Sequence, residues 1–200
     1  MDAAVHALPA DLPAVIDVLV AAFADDPVQR WLFAPAADPA AGQRALFEIF
    51  VEDYFWLGHL HVVADTGGIA GAAMWAPPGR EVLRGERAQD LLAALGPHLG
   101  DELVPRLGEL ARTHEHRPAE PHLYLGILGV APDRQSRGHG ATLLAPALAD
   151  CDRMGLVAHL ESSNERNVPF YERHGFVAVD AYRCGGDGPP LTIMTRRPRR

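Results

Sequence analysis

GVAPDRQSRGHGATLL (Gly129–Leu144) passes from an apolar segment, through a polar turn holding Gly138 and Gly140, into a second apolar segment. The first segment, extended back to His122, predicts a strand; the second, Gly138 to Met154, predicts a helix. A helix N-terminus presents N–H groups with no intrahelical acceptor and the positive end of the macrodipole. Glycine removes the Cβ atoms that would hold an anion away, and Arg137 adds a charged donor. The stretch therefore reads as a phosphate cradle or as a plain turn, and it does not choose alone. It is not a Walker loop, since GxxxxGK[ST] is absent, nor a GxGxxG fingerprint, since ATLL follows Gly140.

The flanking segments weigh on that choice. LYLGILGV places Gly126 and Gly129 inside the strand, where glycine marks a bulge or a close approach by another group. A bulge would open the sheet and free an edge on which a linear amide chain can pair. Val157 to Glu161 predicts the next strand, and Val168 to His174 a short helix. Asn167 is placed to cap that helix, Pro169 lies in its first turn and Gly175 follows its end.

Upstream, Asp11 opens a helix whose buried face carries Val15, Val18, Leu19 and Ala22, and Pro27 ends it. A short second helix carries Trp31 and Leu32. A longer one over about 40–57 buries Leu46, Ile49, Phe50 and Tyr54. HLHVVAD and IAGAAMWAP predict a hairpin around Gly67-Gly68. The segment Glu81 to Arg112 predicts a helical hairpin broken at Gly96-Pro97. FVAVDAYRC and PPLTIMTRR predict a closing pair of strands, and Pro146 predicts a kink in the helix after the glycine loop.

The bulk numbers exclude several classes. With 200 residues, 48% of them hydrophobic, the chain fits one domain over 1–200 carrying a helical insertion at 79–115. Apolar runs fall short of a bilayer span, and MDAAVHALPADLP lacks a basic n-region and apolar core, so neither a membrane segment nor a signal peptide is expected. A cytoplasmic monomer or homodimer is the corresponding expectation. Cys151 and Cys184 form no CxxC or ligand spacing. His114 and His116 sit in a predicted loop without partner ligands, so no metal is expected. A net charge of −8 argues against nucleic-acid binding. All 18 basic residues are arginine, so the chain has no side-chain amine of its own to be acylated.

Gln135-x-x-Gly138-x-Gly140, followed by Asn164, Phe170-Tyr171 and Gly175-Phe176, resembles the GNAT superfamily of acyl-CoA-dependent N-acyltransferases. AAFADDP, HRPAEPHLYLGILGVAPD and RNVPFYERHGF extend the resemblance to the puromycin N-acetyltransferase-like branch, most closely over 118–177 and least over 79–115. The resemblance implies an α/β (α+β) GNAT fold. Such a fold has a mixed, mostly antiparallel twisted sheet of about six to seven strands, helices on both faces and a splayed strand pair for acyl-CoA.

It also implies roles. Gln135, Ser136, Arg137, Gly138, His139, Gly140 and Ala141 would bind the coenzyme A pyrophosphate. Leu128, Gly129 and Val130 would pair with pantetheine and offer an N–H to the acetyl carbonyl. Asn164 matches a pantetheine-binding position; Asn167 is a second candidate, besides its capping role. Tyr171 matches the general acid that protonates the leaving thiolate, against a plain packing role. Glu161 is the first candidate for the base, with His122, Tyr124 and His159 behind it. For the acceptor, Asp25 and Asp26 are placed to attract a cationic amine and Trp31 or Trp75 to stack on a ring, or else they terminate a helix and fill the core. The implied reaction moves an acetyl group from acetyl-CoA to the primary amine of a small molecule, including an amino-nucleoside antibiotic such as puromycin. A protein N-terminal acetyltransferase and a non-catalytic acyl-CoA sensor are the alternatives.

Overall fold

The computed structural model describes residues 3–80, 82–83, 85–186 and 188–199. Seven strands, β1 (Val5–His6), β2 (Leu60–Asp65), β3 (Gly68–Ala76), β4 (His122–Val130), β5 (Val157–Ser162), β6 (Val177–Arg183) and β7 (Pro190–Arg196), form one sheet in the order β1-β2-β3-β4-β5-β7-β6. Every neighbouring pair is antiparallel except β4 and β5. This is the mixed α/β architecture expected from the sequence. β1 had no signal: two residues held by pairing Val5 with Val62 and His6 with His61 are too short to show a period.

Alternation along β3 explains the layers. Ala72, Met74 and Ala76 face α1 (Leu12–Ala22) and α3 (Pro39–Trp56), joining a core with Val15, Leu19, Phe47, Val51 and Tyr54. Ala73 and Trp75 face the opposite side, with Leu143, Leu144 and Leu148 of α6 (His139–Met154) and Tyr171 of α7 (Val168–Arg173). Along α3 the buried apolar side chains are Leu46, Phe47, Val51 and Tyr54, with Gly42 and Gln43 buried ahead of them, whereas Ile49 and Phe50 are half-buried. Leu46 and Tyr54 of the predicted face are buried as expected, and Phe47 and Val51, in place of Ile49 and Phe50, complete the stripe.

α2 (Pro27–Leu32), α4 (Glu86–Leu99) and α5 (Leu103–Ala111) build a third cluster with α3, through Leu32, Phe33, Leu46, Leu91, Leu95, Leu99 and Leu103. The break in the helical insertion falls at Gly100, with φ 52°, and not at Gly96-Pro97. The expected start of that insertion at Glu81 lies outside the described residues. α6 runs through Pro146 as one helix, from Gly138 at φ 91° to Gly155 at φ 69°. Among the described residues no helix is long and apolar enough to cross a membrane.

Candidate active site

The sheet opens where Gly126 interrupts β4. β4 pairs with β5 only from His122–Val157 to Leu125–Leu160. Beyond that point it stays bonded to β3 alone, through Ala73–Leu128, Ala72–Gly129 and Gly71–Val130. The β3–β4 register shifts beside Gly126, because Trp75 partners Leu125 while Met74 partners Ile127. A bulge of this kind redirects the strand and leaves the β5 side of residues 126–130 free to bond a linear amide chain. The two strand glycines have tighter reasons as well. A Cβ at Gly126 would collide with the Tyr54 hydroxyl, and one at Gly129 would stand 2.6 Å from Leu19 Cδ2. Gly129 thus admits α1 rather than a ligand.

β4 leads into the cradle. Ser136 (φ 61°) and Gly138 (φ 91°) take left-handed backbone, and Thr142 N bonding to Gly138 O at 3.0 Å is the first bond of α6. The N–H groups of residues 138–141 therefore have no intrahelical acceptor. Arg134 anchors the loop to the β2–β3 turn, donating to Asp65 Oδ1 (3.1 Å) and to the carbonyls of Gly67, Gly68 and Ile69. Gln135 Nε2 donates to Val130 O, and Arg137 Nη2 to Asp133 O. The His139 side chain turns inward, with Nε2 3.7 Å from Asp65 Oδ2, so only its backbone faces the cradle. Gly140 has no Cβ to crowd the Phe170 ring, which would lie 3.1 Å away. The open edge and this helix end fit the pantetheine arm and pyrophosphate of a coenzyme A thioester.

A cavity of about 440 Å³ begins at the opened strand pair, with Gly126, Ile127 and Leu128 on one wall and Leu160 to Ser163 on the other. Tyr171 of α7 lines it and is buried. Burial, with a further push from the charge of Asp26, drives its hydroxyl far above the ordinary phenol value, so it holds its proton at neutral pH. Asn167 lines the cavity without capping α7; Asn164 makes the cap instead, accepting from Arg166 N at 3.1 Å ahead of the helix. The expected Asn167 cap is therefore replaced by one a turn earlier.

Glu161 enters the cavity from β5 with its side chain only 7% exposed. Burial pushes its carboxyl up. His159, with Nε2 3.2 Å from Oε1, the Tyr124 hydroxyl and the charge of Arg117 outweigh it and hold the carboxyl below its usual value. The parallel register sets Tyr124 opposite His159. The His122 and His159 rings meet edge-on at 5.6 Å, and the Arg117 guanidinium covers the Tyr124 ring at 4.0 Å.

Of the acceptor candidates, Asp26 lines this cavity. Its Oδ1 caps α2 through Val28 N and Gln29 N, and its Oδ2 accepts from Ser163 Oγ. Asp25 is exposed and faces Arg30. Trp75 is wholly buried in the core with α6, and Trp31 packs under Arg106 at 5.0 Å. These three stand away from the cavity wall. His116 pairs with Asp180 at 2.8 Å while His114 lines the cavity. Among the described residues no three His, Cys, Asp or Glu groups are placed to share a metal ion. Cys151 and Cys184 are buried thiols, each pushed up to about 11 by burial. Arg117, Ser163 and the wall position of Tyr54 had no motif to mark them.

Comparison with known proteins agrees with this geometry. The acetyltransferase (GNAT) family profile matches residues 26–176. An uncharacterised N-acetyltransferase of Schizosaccharomyces pombe is 30% identical over 193 residues, 90% of this chain and 77% of its own. The crystal structure described as histone acetyltransferase HPA2 and related acetyltransferase from Corynebacterium glutamicum superposes with TM-score 0.74 at 28% identity, covering 99% of this chain and 97% of that one. Arylalkylamine N-acetyltransferase 2 from Aedes aegypti shares the fold at TM-score 0.66 and 15% identity, over 98% of each chain.

Proposed function

The chain belongs to the GNAT acetyltransferase family, and from that premise we propose that it moves the acetyl group of acetyl-CoA to the primary amine of a small molecule. The observation that carries this reading is that one cavity holds the free β4 edge, the carboxylate of Glu161 and the protonated hydroxyl of Tyr171. The acetyl thioester supplies the electrophilic carbonyl. The unpaired edge at 126–130 orients its amide arm and directs an N–H at the carbonyl oxygen as charge develops there. Glu161, ionised at neutral pH, attracts the incoming ammonium, which releases one proton to solvent and attacks as the neutral amine; Glu161 then takes the second proton as the N–C bond forms and makes it strongly acidic. As the C–S bond breaks, the Tyr171 hydroxyl gives its proton to the departing sulfur. Attack is direct, with no acyl-cysteine.

α4 and α5 close the acceptor end with Leu91, Leu107 and Leu110. A half-open, largely apolar chamber narrowed by these leucines favours a small amine over a protein terminus. The aromatic lining from Phe47, Phe50 and Tyr54, with the likeness of RNVPFYERHGF to the puromycin-acetylating branch, brings an amino-nucleoside within the acceptor class. The test is thiol release from acetyl-CoA against a panel of amines including puromycin, with controls lacking acceptor. Turnover dependent on one amine class is expected. Tight coenzyme binding with silence across amines and peptide termini would leave a sensor in place of an enzyme.

A further inference from the structure

Arg117 follows the helical insertion and lines the cavity with Glu161. Its guanidinium stacks on the ring of Tyr124 and its charge reaches Glu161, so the two opposite charges face one cavity. Arg117 Nε is buried with no hydrogen-bond partner. A buried guanidinium N–H without an acceptor is costly unless a ligand completes it, and the flat fork of donors matches a carboxylate. Phe47, Phe50, Leu83, Leu91 and Leu107 give the chamber an apolar wall, while Asp26, Arg80, His114 and Asn167 add polar groups elsewhere on its lining.

We infer that the acceptor is an α-amino acid with a large apolar side chain. Its ammonium meets Glu161, its carboxylate meets Arg117 and its side chain fills the apolar chamber. This rests on the acetyl-transfer reading and narrows its acceptor. The bonds made and broken are those given above, and the carboxylate only binds. An amino-nucleoside, whose amine neighbours an amide and not a carboxylate, is then the poorer acceptor.

The experiment compares phenylalanine, phenylalaninamide and 2-phenylethylamine as acceptors, by thiol release from acetyl-CoA. All three share ring and amine and differ at the carboxylate. Phenylalanine is expected to lead in kcat/KM by about 10- to 100-fold, the worth of a charged hydrogen-bonded pair. Intrinsic reactivity runs the other way for the amide, whose amine is less protonated at neutral pH. Arg117→Gln brings the acid-to-amide ratio near one and Arg117→Lys recovers part of it, with thermal melts confirming that both variants fold. Independently of turnover, phenylalanine raises the melting temperature of the coenzyme-A-bound protein, and Arg117→Gln abolishes that rise. Equal use of acid and amide, or a ratio unmoved by Arg117→Gln, overturns the inference. Turnover of carboxylate-free amines alone overturns it while acetyl transfer stands. No thiol release with any amine overturns acetyl transfer and this inference with it.

Discussion

Ser163 donates its hydroxyl to Oδ2 of Asp26, 137 residues earlier in the chain. The other oxygen of that carboxylate caps α2 through Val28 N at 2.9 Å and Gln29 N at 3.0 Å. One side chain thus fastens the start of α2, on the cavity wall, to the loop after β5. Burial dominates its chemistry and pushes the carboxyl up, against the lowering by these three bonds.

Asp26→Ala loses the cap and the Ser163 acceptor and is expected to cost about 1–2 kcal/mol in a denaturant titration. Asp26→Asn keeps an oxygen for the cap. A carboxyl raised in the folded state favours folding most below its unfolded value, and that contribution disappears as pH rises through the folded value. The deficit of Asp26→Asn relative to the parent should therefore shrink as pH rises through that range.

Tyr171→Phe removes the proposed proton donor while leaving the ring packed. A fall in kcat of about 10²–10⁴-fold is expected, with coenzyme A affinity by calorimetry nearly kept. Unchanged turnover would remove Tyr171 from the chemistry and leave it a packing residue.

Glu161→Gln removes the proposed proton acceptor but keeps a hydrogen-bonding side chain beside His159. Turnover should drop by about 10²-fold at neutral pH and recover as pH approaches the acceptor amine's own pKa. A rate that stays low across the whole profile would speak for a positioning role instead.

Gly126→Ala drives a methyl into the Tyr54 hydroxyl, for an expected loss of about 1–3 kcal/mol from overpacking. Adding Tyr54→Phe removes the obstructing oxygen and should return part of that stability, giving a non-additive cycle. Additive losses in chemical denaturation would mean that the bulge, and not the hydroxyl, requires glycine.

Asp152 grips Arg196 with two bonds, 2.8 and 2.7 Å, and accepts from Arg199 N. The Arg196 bonds first, then that of Arg199, pull its carboxyl down to about 2. Its contribution to stability is present above the unfolded value of 3.8 and is lost as pH falls through about 2. Melting curves between pH 5 and pH 2 should show this loss in the parent and not in Asp152→Asn.

Local chemistry made much of this architecture legible. His122–Val130 and the helix running to Met154 stand where apolar runs, Gly138 and Gly155 put them, because a strand run and a left-handed glycine at a helix end act over only a few residues. Pro97 shows where local rules gave way. Leu95 and Leu99 bury one face of α4 against Leu32 and Phe33, and that packing carries the helix past the proline to Gly100. Asn164 likewise caps a turn ahead of α7, leaving Asn167 on the cavity wall.

By itself the sequence determined the family motif, the glycine loop that opens α6 and the short helix that carries Tyr171, because each depends on neighbours a few residues away. Only the tertiary structure decided which face of the sheet Trp75 takes, that Tyr54 seats against Gly126, and that Arg117 lies over Tyr124 beside Glu161. Those relationships join residues tens of positions apart, and strand register and helix packing bring them together without any local pattern to record it.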